Sequence, residues 1–232
     1  MSAARVLTHP LLRELGIAHG FGTRQAPEPP GVVRPRQVHG AEIAWLRPGA
    51  SLTRRDADVV LSLDPGVPVA VVTADCVPIL LGDEAGRAVA AVHAGWRGLA
   101  HGVVQAAVAA LAGESAPPAR LRAVIGPCIG ACCSEVDAPV LDALSRRFGE
   151  ALERALQPAR AGHHLLDLAA LSRHALEQAG VTAERIGGFD GVCTRCDALR
   201  FHSYRRDGPA AGRLLHFVQV RLRSAGPAMG PA

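Results

Sequence analysis

The chain of 232 residues carries 25 basic and 21 acidic side chains, which gives a formal net charge of +4. This length, with 49% hydrophobic residues, fits one domain with a sizeable core. Every basic residue is arginine, and asparagine is absent as well as lysine. A Schiff-base lysine, a P-loop lysine and an N-glycosylation sequon are therefore excluded. Acids and arginines alternate without a long basic run, so we expect no nucleic-acid partner.

The sequence also lacks features of export or membrane insertion. It has no run of about 18 uninterrupted apolar residues, and its first twenty residues lack the layout of a signal peptide. We therefore expect a cytoplasmic protein without a membrane partner. In that compartment the six cysteines are interpreted as reduced thiols, metal ligands or catalytic groups, and not as a disulfide framework.

The predicted elements follow one another as short strands and longer helices. A proline-rich extended loop covers 25–35, and valine-rich segments bounded by glycine, proline or aspartate predict strands at 41–46, 57–63, 67–74, 78–82, 88–94, 121–126 and 214–222. Apolar residues at helical spacing predict helices at 97–112, 137–156 and 167–179. This pattern indicates an α+β fold with mixed β-sheets flanked by helices. We expect a single domain at 1–223 and a disordered tail at 224–232.

The densest chemical signal is the segment TADCVPILLGDEAGRAVAAVHAGWRG at 73–98. Cys76 directly follows one predicted strand and His93 lies near the end of another, so the two side chains can converge at a sheet edge. The helix that follows begins near Arg97, whose planar charged group suits a phosphate. Asp75 is a candidate for orienting a ligand or shuttling a proton, and equally for capping a turn. Catalytic roles are therefore assigned to Asp75, Cys76, His93 and Arg97.

A second chemical element is RPRQVHG at 34–40, which places His39 between the proline-rich loop and a strand. One thiolate and two imidazoles form a recognised zinc set, and three protein ligands leave the fourth tetrahedral position open for catalysis. On spacing alone, a histidine in an apolar strand is more often a hydrogen-bonded core residue, and a free cysteine is often a small buried hydrophobe.

Six ordered motifs make the chain resemble the YfiH/PgeF family. These are RQVHG, TADCVPILL, AVHAGWRGL, IGPCIGACCSEV, DGVCT and FHSYRRDG followed by GR. Members are known as polyphenol oxidase laccase-domain proteins, peptidoglycan editing factors and purine nucleoside phosphorylases. The resemblance spans about 20–220. It implies a layered α/β sandwich similar to that of cytotoxic necrotizing factor.

The resemblance also implies a reaction and a ligand set. A zinc ion would be held by His39, Cys76 and His93, with copper possible in the same site. The implied activity is phosphorolysis of adenosine, inosine, guanosine and methylthioadenosine, together with deamination of adenosine. The partners would be a purine nucleoside and phosphate, bound by a monomer or weak homodimer. The residues assigned to substrate binding are Arg36, Gln37, Arg97, Ser203 and Arg205.

The sequence departs from the family pattern at several positions. The region between GFGTR (20–24) and RQVHG is short and lacks the usual Asn-Arg pair. Ser134, His202 and Ala211 replace the usual tyrosine, phenylalanine and threonine. These changes bear on substrate choice and leave the three proposed ligands intact.

The other five cysteines form no familiar pattern. They include a single C-x-x-C, and the remaining three have different spacing (Cys128, Cys132, Cys133, Cys193, Cys196). A structural zinc is one interpretation. Buried thiols that pack near the core are the interpretation we favour on sequence grounds.

Three other functions compete with the zinc-dependent nucleoside enzyme. A metal-free hydrolase or amidase would use Cys76 as nucleophile and His93 as base, with a role in editing peptidoglycan precursors. A copper polyphenol oxidase would need many histidines at set spacings, and no H-x-H pair occurs. A non-enzymatic binding protein would need zinc only for folding.

Overall fold

The structure is a computed structural model, and it describes residues 6–221. The predicted tail at 224–232 and the boundary at 223 lie outside these residues. The strands are β1 Val6–Leu7, β2 Ala18–Gly22, β3 Ile43–Leu46, β4 Val59–Ser62, β5 Val69–Thr73, β6 Val77–Asp83, β7 Val89–Ala94, β8 Leu121–Ile125, β9 Glu135–Val136, β10 Leu156–Pro158, β11 His164–Leu166, β12 Ile186–Gly188 and β13 Leu214–Gln219. The α-helices are α1 Pro10–Arg13, α2 Trp96–His101, α3 Val103–Gly113, α4 Ala138–Phe148, α5 Glu150–Arg154, α6 Leu168–Gln178 and α7 Tyr204–Asp207.

The central element is a six-stranded mixed sheet in the order β12-β8-β6-β7-β4-β3. A four-stranded sheet, β1-β2-β13-β5, packs on one of its faces, and a three-stranded sheet, β10-β11-β9, is separate. Helices α2 to α6 cover the other face. The predicted α+β class with mixed sheets and flanking helices is confirmed.

Two apolar clusters form because both faces of the central sheet are buried. Alternate residues of one strand point to opposite faces, so Leu61 packs toward the helices while Val60 packs toward the four-stranded sheet. Ile79 and Leu80 divide in the same way. Burial on both faces explains why these strands read as continuous apolar runs.

Two of the predicted helices are interrupted by glycine. Gly102 has φ 82° and separates α2 from α3, while Gly149 has φ 48° and separates α4 from α5. Only glycine adopts this conformation without strain. The predictions of one continuous helix at 97–112 and one at 137–156 are therefore wrong, because each range contains two helices. The third helix begins as predicted, because Asp167 Oδ1 accepts a hydrogen bond of 2.8 Å from Ala170 N.

All seven predicted strands are present, with ends that shift by at most three residues on the described part of the chain. The sequence analysis missed β2 and the short strands β1, β9, β10, β11 and β12. In the described range no helix combines the length and the apolar character needed to span a bilayer.

Candidate metal centre and cavity

One end of the central sheet gathers the chemically active side chains. Strands β4 and β6 each pair antiparallel with β7, so the starts of β4 and β6 lie beside the end of β7. Cys76 immediately precedes β6, and His93 is the next-to-last residue of β7. His39 lies in the loop that leads into β3, which runs parallel to β4 and therefore starts at the same end. Register, and not proximity in sequence, brings these three residues together.

The three predicted metal ligands form one group. The ligand atoms of His39, Cys76 and His93 all lie within 4.8 Å of one another. The two imidazole rings meet edge to face, with centroids 4.8 Å apart and planes at 77°. His93 is buried, Cys76 is half-buried and His39 is exposed, so one side of the group is open to solvent.

Asp58 orients this group, and the sequence analysis missed it. Its Oδ1 accepts hydrogen bonds from His93 Nδ1 at 2.7 Å and from the backbone N–H of His39 at 3.0 Å. Its Oδ2 accepts from the backbone N–H of Val38 at 3.1 Å and of Gly40 at 2.7 Å. Because Asp58 engages Nδ1 of His93, the Nε2 atom of that ring is free to bind a metal.

The electrostatics of the group favour a thiolate. Burial alone would raise the pKa of Cys76, but the neighbouring imidazoles of His39 and His93 lower it to about 6. Burial alone would lower the pKa of His93, but Asp58 and Cys76 raise it to about 9. Burial opposes ionisation of Asp58, yet the hydrogen bonds from His93 and Gly40 hold its pKa below the usual value. The two shifts therefore favour the charged forms of both side chains, the thiolate of Cys76 and the imidazolium of His93.

Three residues in and around the proposed ligand group have backbone features that the site requires. A Cβ atom at Gly95 would lie 3.1 Å from Cys76 Sγ and 3.3 Å from His39 Cδ2, so glycine leaves space that a side chain would fill. His39 itself has φ 62° and Asp75 has φ 90°. Left-handed conformations of this kind in non-glycine residues are costly and occur often at functional sites.

The donor set fits zinc. One thiolate and two imidazoles are ligands that zinc prefers, and three protein ligands are typical of catalytic zinc sites. The Asp58–His93 contact is the carboxylate–histidine arrangement that commonly supports such a ligand. The space beside Gly95 and the contact between His93 and Cys76 agree with occupation by an ion between these side chains.

The three residues open onto a large cavity of about 1000 Å³. This volume lies at the upper end of the range for small-molecule sites. Its walls come from the loop at 34–39, the start of α2, the β9 region, the β11 region and α7. Two aromatic side chains, Trp96 and Tyr204, line it.

The cavity wall is rich in arginine. Of the described residues, six arginines and three acidic residues line it: Arg34, Arg36, Arg97, Arg160, Arg205 and Arg213, with Asp75, Glu135 and Asp137. Three of the six are neutralised by carboxylates, through the pairs Arg34–Glu28, Arg36–Asp56 and Arg160–Glu135.

The other three cavity arginines keep their charge available. Within residues 6–221, Arg97, Arg205 and Arg213 form no ion pair with a carboxylate. Arg97 stacks on Trp96 with its Cζ 4.2 Å from the ring centroid. Arg205 and Arg213 donate to backbone carbonyls at 2.9–3.1 Å. These three guanidinium groups are thus available to an anionic ligand.

The carboxylate of Asp75 accepts three hydrogen bonds. Thr194 Oγ1 donates to Oδ1 at 2.6 Å, while Ser203 Oγ and the backbone N–H of Arg205 donate to Oδ2 at 3.0 and 2.7 Å. These contacts hold the left-handed residue next to Cys76 and join it to α7. They give Asp75 a positioning role; its direct part in proton transfer stays a prediction.

The predicted substrate-binding residues separate into two groups. Arg36, Gln37, Arg97 and Arg205 line the cavity, whereas Ser203 is fully buried. Ser203 Oγ also accepts from Arg206 N at the start of α7, so it caps that helix. Gln37 Nε2 donates to the carbonyl oxygen of Val72 and Gln37 Oε1 accepts from the N–H of Val72, both at 2.7 Å. These two hydrogen bonds fix the loop before His39.

The expectation of buried thiols is wrong for part of the second cysteine set. Cys128 and Cys193 are buried, but Cys132 and Cys196 are exposed and Cys133 is half-buried. The sulfur atoms of Cys132, Cys133, Cys193 and Cys196 all lie within 4.8 Å of one another.

The fold and the site together define a class of protein. A central mixed sheet carries a Cys-His-His group at one end, supported by a buried aspartate and open to an arginine-lined cavity. Residues 21–221 match the family described as multi-copper polyphenol oxidoreductase laccase. The chain belongs to this family, whose bacterial members include the YfiH proteins.

Curated relatives carry enzyme names. A purine nucleoside phosphorylase from Pseudomonas aeruginosa is 42% identical over 80% of this chain and 72% of its own length. The purine nucleoside phosphorylase YfiH of Escherichia coli is 38% identical over 78% of this chain and 71% of its own length. An adenosine deaminase from an unknown prokaryote is 32% identical over 78% of this chain and 72% of its own length.

Solved structures share the fold. The YfiH protein of Bacillus licheniformis superposes with a TM-score of 0.85 at 27% identity, covering 94% of this chain and 97% of that one. A Neisseria meningitidis protein gives a TM-score of 0.72 at 38% identity, covering 82% and 75%. YlmD from Geobacillus stearothermophilus gives 0.83 at 26% identity, covering 96% and 98%. The predicted YfiH-like fold is confirmed.

Proposed function

We propose that this chain is a zinc-dependent purine nucleoside phosphorylase that also deaminates adenosine. The observation that carries the proposal is the opening of the His39, Cys76 and His93 group onto a cavity of about 1000 Å³ with uncompensated arginines. The names of the relatives, purine nucleoside phosphorylase and adenosine deaminase, support the same reaction class.

The metal would be bound by His39, Cys76 and His93. A zinc ion held there would act as a Lewis acid and would make water a stronger nucleophile at neutral pH. Asp58 would keep His93 in the tautomer that offers Nε2 to the metal. Copper binds nitrogen and sulfur ligands more tightly than zinc does, so it could occupy the same site without being the functional metal.

Phosphorolysis and deamination need different nucleophiles in the same cavity, phosphate for the first and water for the second. In phosphorolysis, a phosphate oxygen attacks C1′ of the ribose, the C1′–N9 bond breaks, and the purine leaves with the bonding electrons. Arg97, Arg205 and Arg213 would bind the phosphate, since their guanidinium groups form no ion pair with a carboxylate among the residues that the structure describes. In deamination, water adds at C6 of adenosine and ammonia leaves.

The purine would stack on an aromatic wall. Tyr204 is 52% exposed and lines the cavity, and Trp96 lines it beside Arg97. Aromatic side chains bind any purine through its flat face. Stacking of this kind agrees with acceptance of several nucleosides by one site.

A metal-free cysteine hydrolase is the second candidate, and a specific observation favours it. Cys76, His93 and Asp58 follow one another as a nucleophile, a base and an orienting carboxylate, which is the arrangement of a catalytic triad. The low pKa of Cys76 would also suit a nucleophile. This candidate would act on an amide, such as one in a peptidoglycan precursor.

A multicopper oxidase has little support from the site. Within residues 6–221, the groups that could hold a metal are the Cys-His-His group and the four-cysteine group. Neither contains the several clustered histidines that a multicopper site requires. We therefore do not propose laccase activity, despite the description of the family.

The test is product analysis on purified protein and three single variants, His39→Ala, Cys76→Ala and His93→Ala. Incubated with adenosine and phosphate, the wild-type chain should release adenine and ribose 1-phosphate, with some inosine. All three variants should lose both activities. An enzyme that needs Cys76 and His93 but works without His39 and without metal would contradict the proposal and favour the cysteine hydrolase.

The phosphate-binding step has its own test. Arg97→Ala and Arg213→Ala should each raise the KM for phosphate by roughly 10- to 100-fold, the equivalent of one lost charge-assisted hydrogen bond of about 1.5–3 kcal/mol. Adenosine deamination, which uses no phosphate, should change far less. Arg87→Ala is the matched control, because Arg87 is exposed and does not line the cavity.

A further inference from the structure

A second group of potential ligands lies outside the catalytic centre. Its sulfurs come from two loops, CIGACC before β9 and CTRC after β12. Cys132 Sγ lies 3.8 Å from Cys196 Sγ, and Cys133 Sγ lies 3.4 Å from Cys196 Sγ. With Cys193 included, all four sulfurs lie within 4.8 Å of one another.

These distances match one tetrahedral ion. With Zn–S bonds of about 2.3 Å, the sulfurs of a tetrahedral site lie about 3.8 Å apart. The Cys132–Cys196 separation of 3.8 Å equals this value and the Cys133–Cys196 separation of 3.4 Å is slightly shorter, so small side-chain adjustments complete the site. All six cysteines are free thiols, so no disulfide competes for these sulfurs.

The fold brings the two loops together through strand pairing. Strands β8 and β12 are parallel neighbours, and the pairing continues beyond them in an isolated bridge between Cys128 and Cys193. Thr194 N donates to Cys128 O at 3.0 Å. Because paired parallel strands run in the same direction, the loops that follow them start at the same end of the sheet. The four sulfurs are therefore positioned by the sheet, although the two loops are far apart in sequence.

Groups that stabilise thiolates surround the cluster. The backbone N–H of Gly130 donates to Cys193 Sγ at 3.3 Å, and Arg195 Nη1 donates to Cys133 Sγ at 3.4 Å. A Cβ at Gly130 would lie 3.3 Å from Cys193 Cβ and 3.4 Å from Cys132 Sγ, so glycine allows the loop to approach. Four thiolates and one divalent cation carry a net charge of −2, which Arg195 and the N–H group of Gly130 offset in part.

We propose that Cys132, Cys133, Cys193 and Cys196 bind a structural zinc ion, distinct from the catalytic metal. Four protein ligands fill the tetrahedral positions, so this site is closed and performs no chemistry. Its ion clamps the loop at 130–134 to the loop at 193–196. Four sulfur donors select zinc among the common divalent cations, with iron as the main competitor.

The clamp also supports the catalytic end of the molecule. Thr194, between two of the ligands, donates to Asp75, which is adjacent to Cys76. Arg205, which lines the cavity, donates a hydrogen bond of 3.0 Å from Nη1 to Cys133 O. Loss of the structural zinc would therefore loosen the loops that form one side of the cavity.

The test uses the full chain, purified under reducing conditions without chelator, and measures metal content and X-ray absorption at the zinc edge. The His39→Ala/His93→Ala double variant removes the catalytic metal. It should retain about one zinc per chain, with four sulfur ligands and no nitrogen ligand. Absence of zinc, iron in its place, or nitrogen ligands in this variant would overturn the proposal.

A second variant keeps the test decisive if that one fails to fold. Cys132→Ser/Cys196→Ser changes two exposed side chains and should lose one zinc equivalent relative to wild type. Its thermal unfolding temperature should also fall. Unchanged zinc content would overturn the proposal. Cys128→Ala is the matched control, since its buried sulfur lies outside the four-cysteine group, and it should keep the full zinc content.

Discussion

Replacing Asp58 with asparagine removes one acceptor oxygen from the centre of the proposed metal site. In the wild-type chain each carboxylate oxygen accepts two hydrogen bonds, from four different donors. In the variant Asp58→Asn, the new NH₂ group must face two of those donors. The side chain is fully buried, so water cannot replace the lost acceptor.

The expected magnitude follows from that count. A buried donor left without a partner costs about 1–3 kcal/mol. Two such donors predict a loss of about 2–6 kcal/mol in the free energy of unfolding. If the NH₂ group faces His93, the imidazole must carry its proton on Nε2, and that atom can no longer bind a metal. If the amide oxygen faces His93, a neutral acceptor replaces the charged carboxylate and supports the ring less strongly. Loss of such a supporting contact typically lowers metal affinity by about 10- to 100-fold.

Zinc affinity is measured by competition with a chromophoric chelator, and stability by urea unfolding of the same samples. Asp83→Asn is the matched control. Asp83 is also buried, at the opposite end of β6, and its Oδ1 accepts from Arg120 at 2.9 Å. The control should lose stability but keep its zinc affinity. Wild-type zinc affinity in the Asp58→Asn chain would refute the orienting role of Asp58.

Two further predictions concern packing and titration. Gly95→Ala should weaken zinc binding, measured by calorimetry, by roughly tenfold or more, because overpacking against Cys76 and His39 costs about 1–3 kcal/mol. Gly113→Ala is the control, since no described atom lies within 4 Å of its new Cβ, and it should leave the zinc affinity unchanged. Burial, together with the charge of His93, lowers the pKa of His216 from 6.5 to about 3. The folded state then binds fewer protons than the unfolded state, so this residue should reduce stability by about 1.4 kcal/mol for each pH unit below 6.5, until about pH 3. Urea unfolding at pH 7, 6 and 5 in the presence of EDTA should show a shallower acid loss for His216→Gln, and equal slopes for the two chains would contradict this assignment.

Much of the central sheet could be predicted from sequence because burial on both faces leaves long apolar runs between glycine, proline and aspartate. Strands such as β9 and β12 are two or three residues long and leave no such pattern. The helix predicted at 97–112 failed at Gly102, because apolar spacing continues through a residue that has a left-handed conformation.

The proposed ligands were recognisable because each belongs to a local motif, whereas Asp58 was not. Asp58 stands at the start of β4, where an aspartate is an ordinary strand boundary. Its contact with His93 depends on the antiparallel register of β4 and β7, which pairs Val59 with Val92. A structural zinc at the other cysteines was an open interpretation that the sequence did not favour, because the parallel pairing of β8 and β12, which brings four of the sulfurs together, leaves no motif.

The most direct test of the proposed function is reconstitution of the wild-type chain after removal of the accessible metal with a chelator. Release of adenine from adenosine and phosphate is followed while zinc is added back. We expect turnover to disappear with the chelator and to return as one zinc equivalent binds, and we expect no recovery in Cys76→Ala. Full turnover in the chelated wild-type protein would contradict the proposed function.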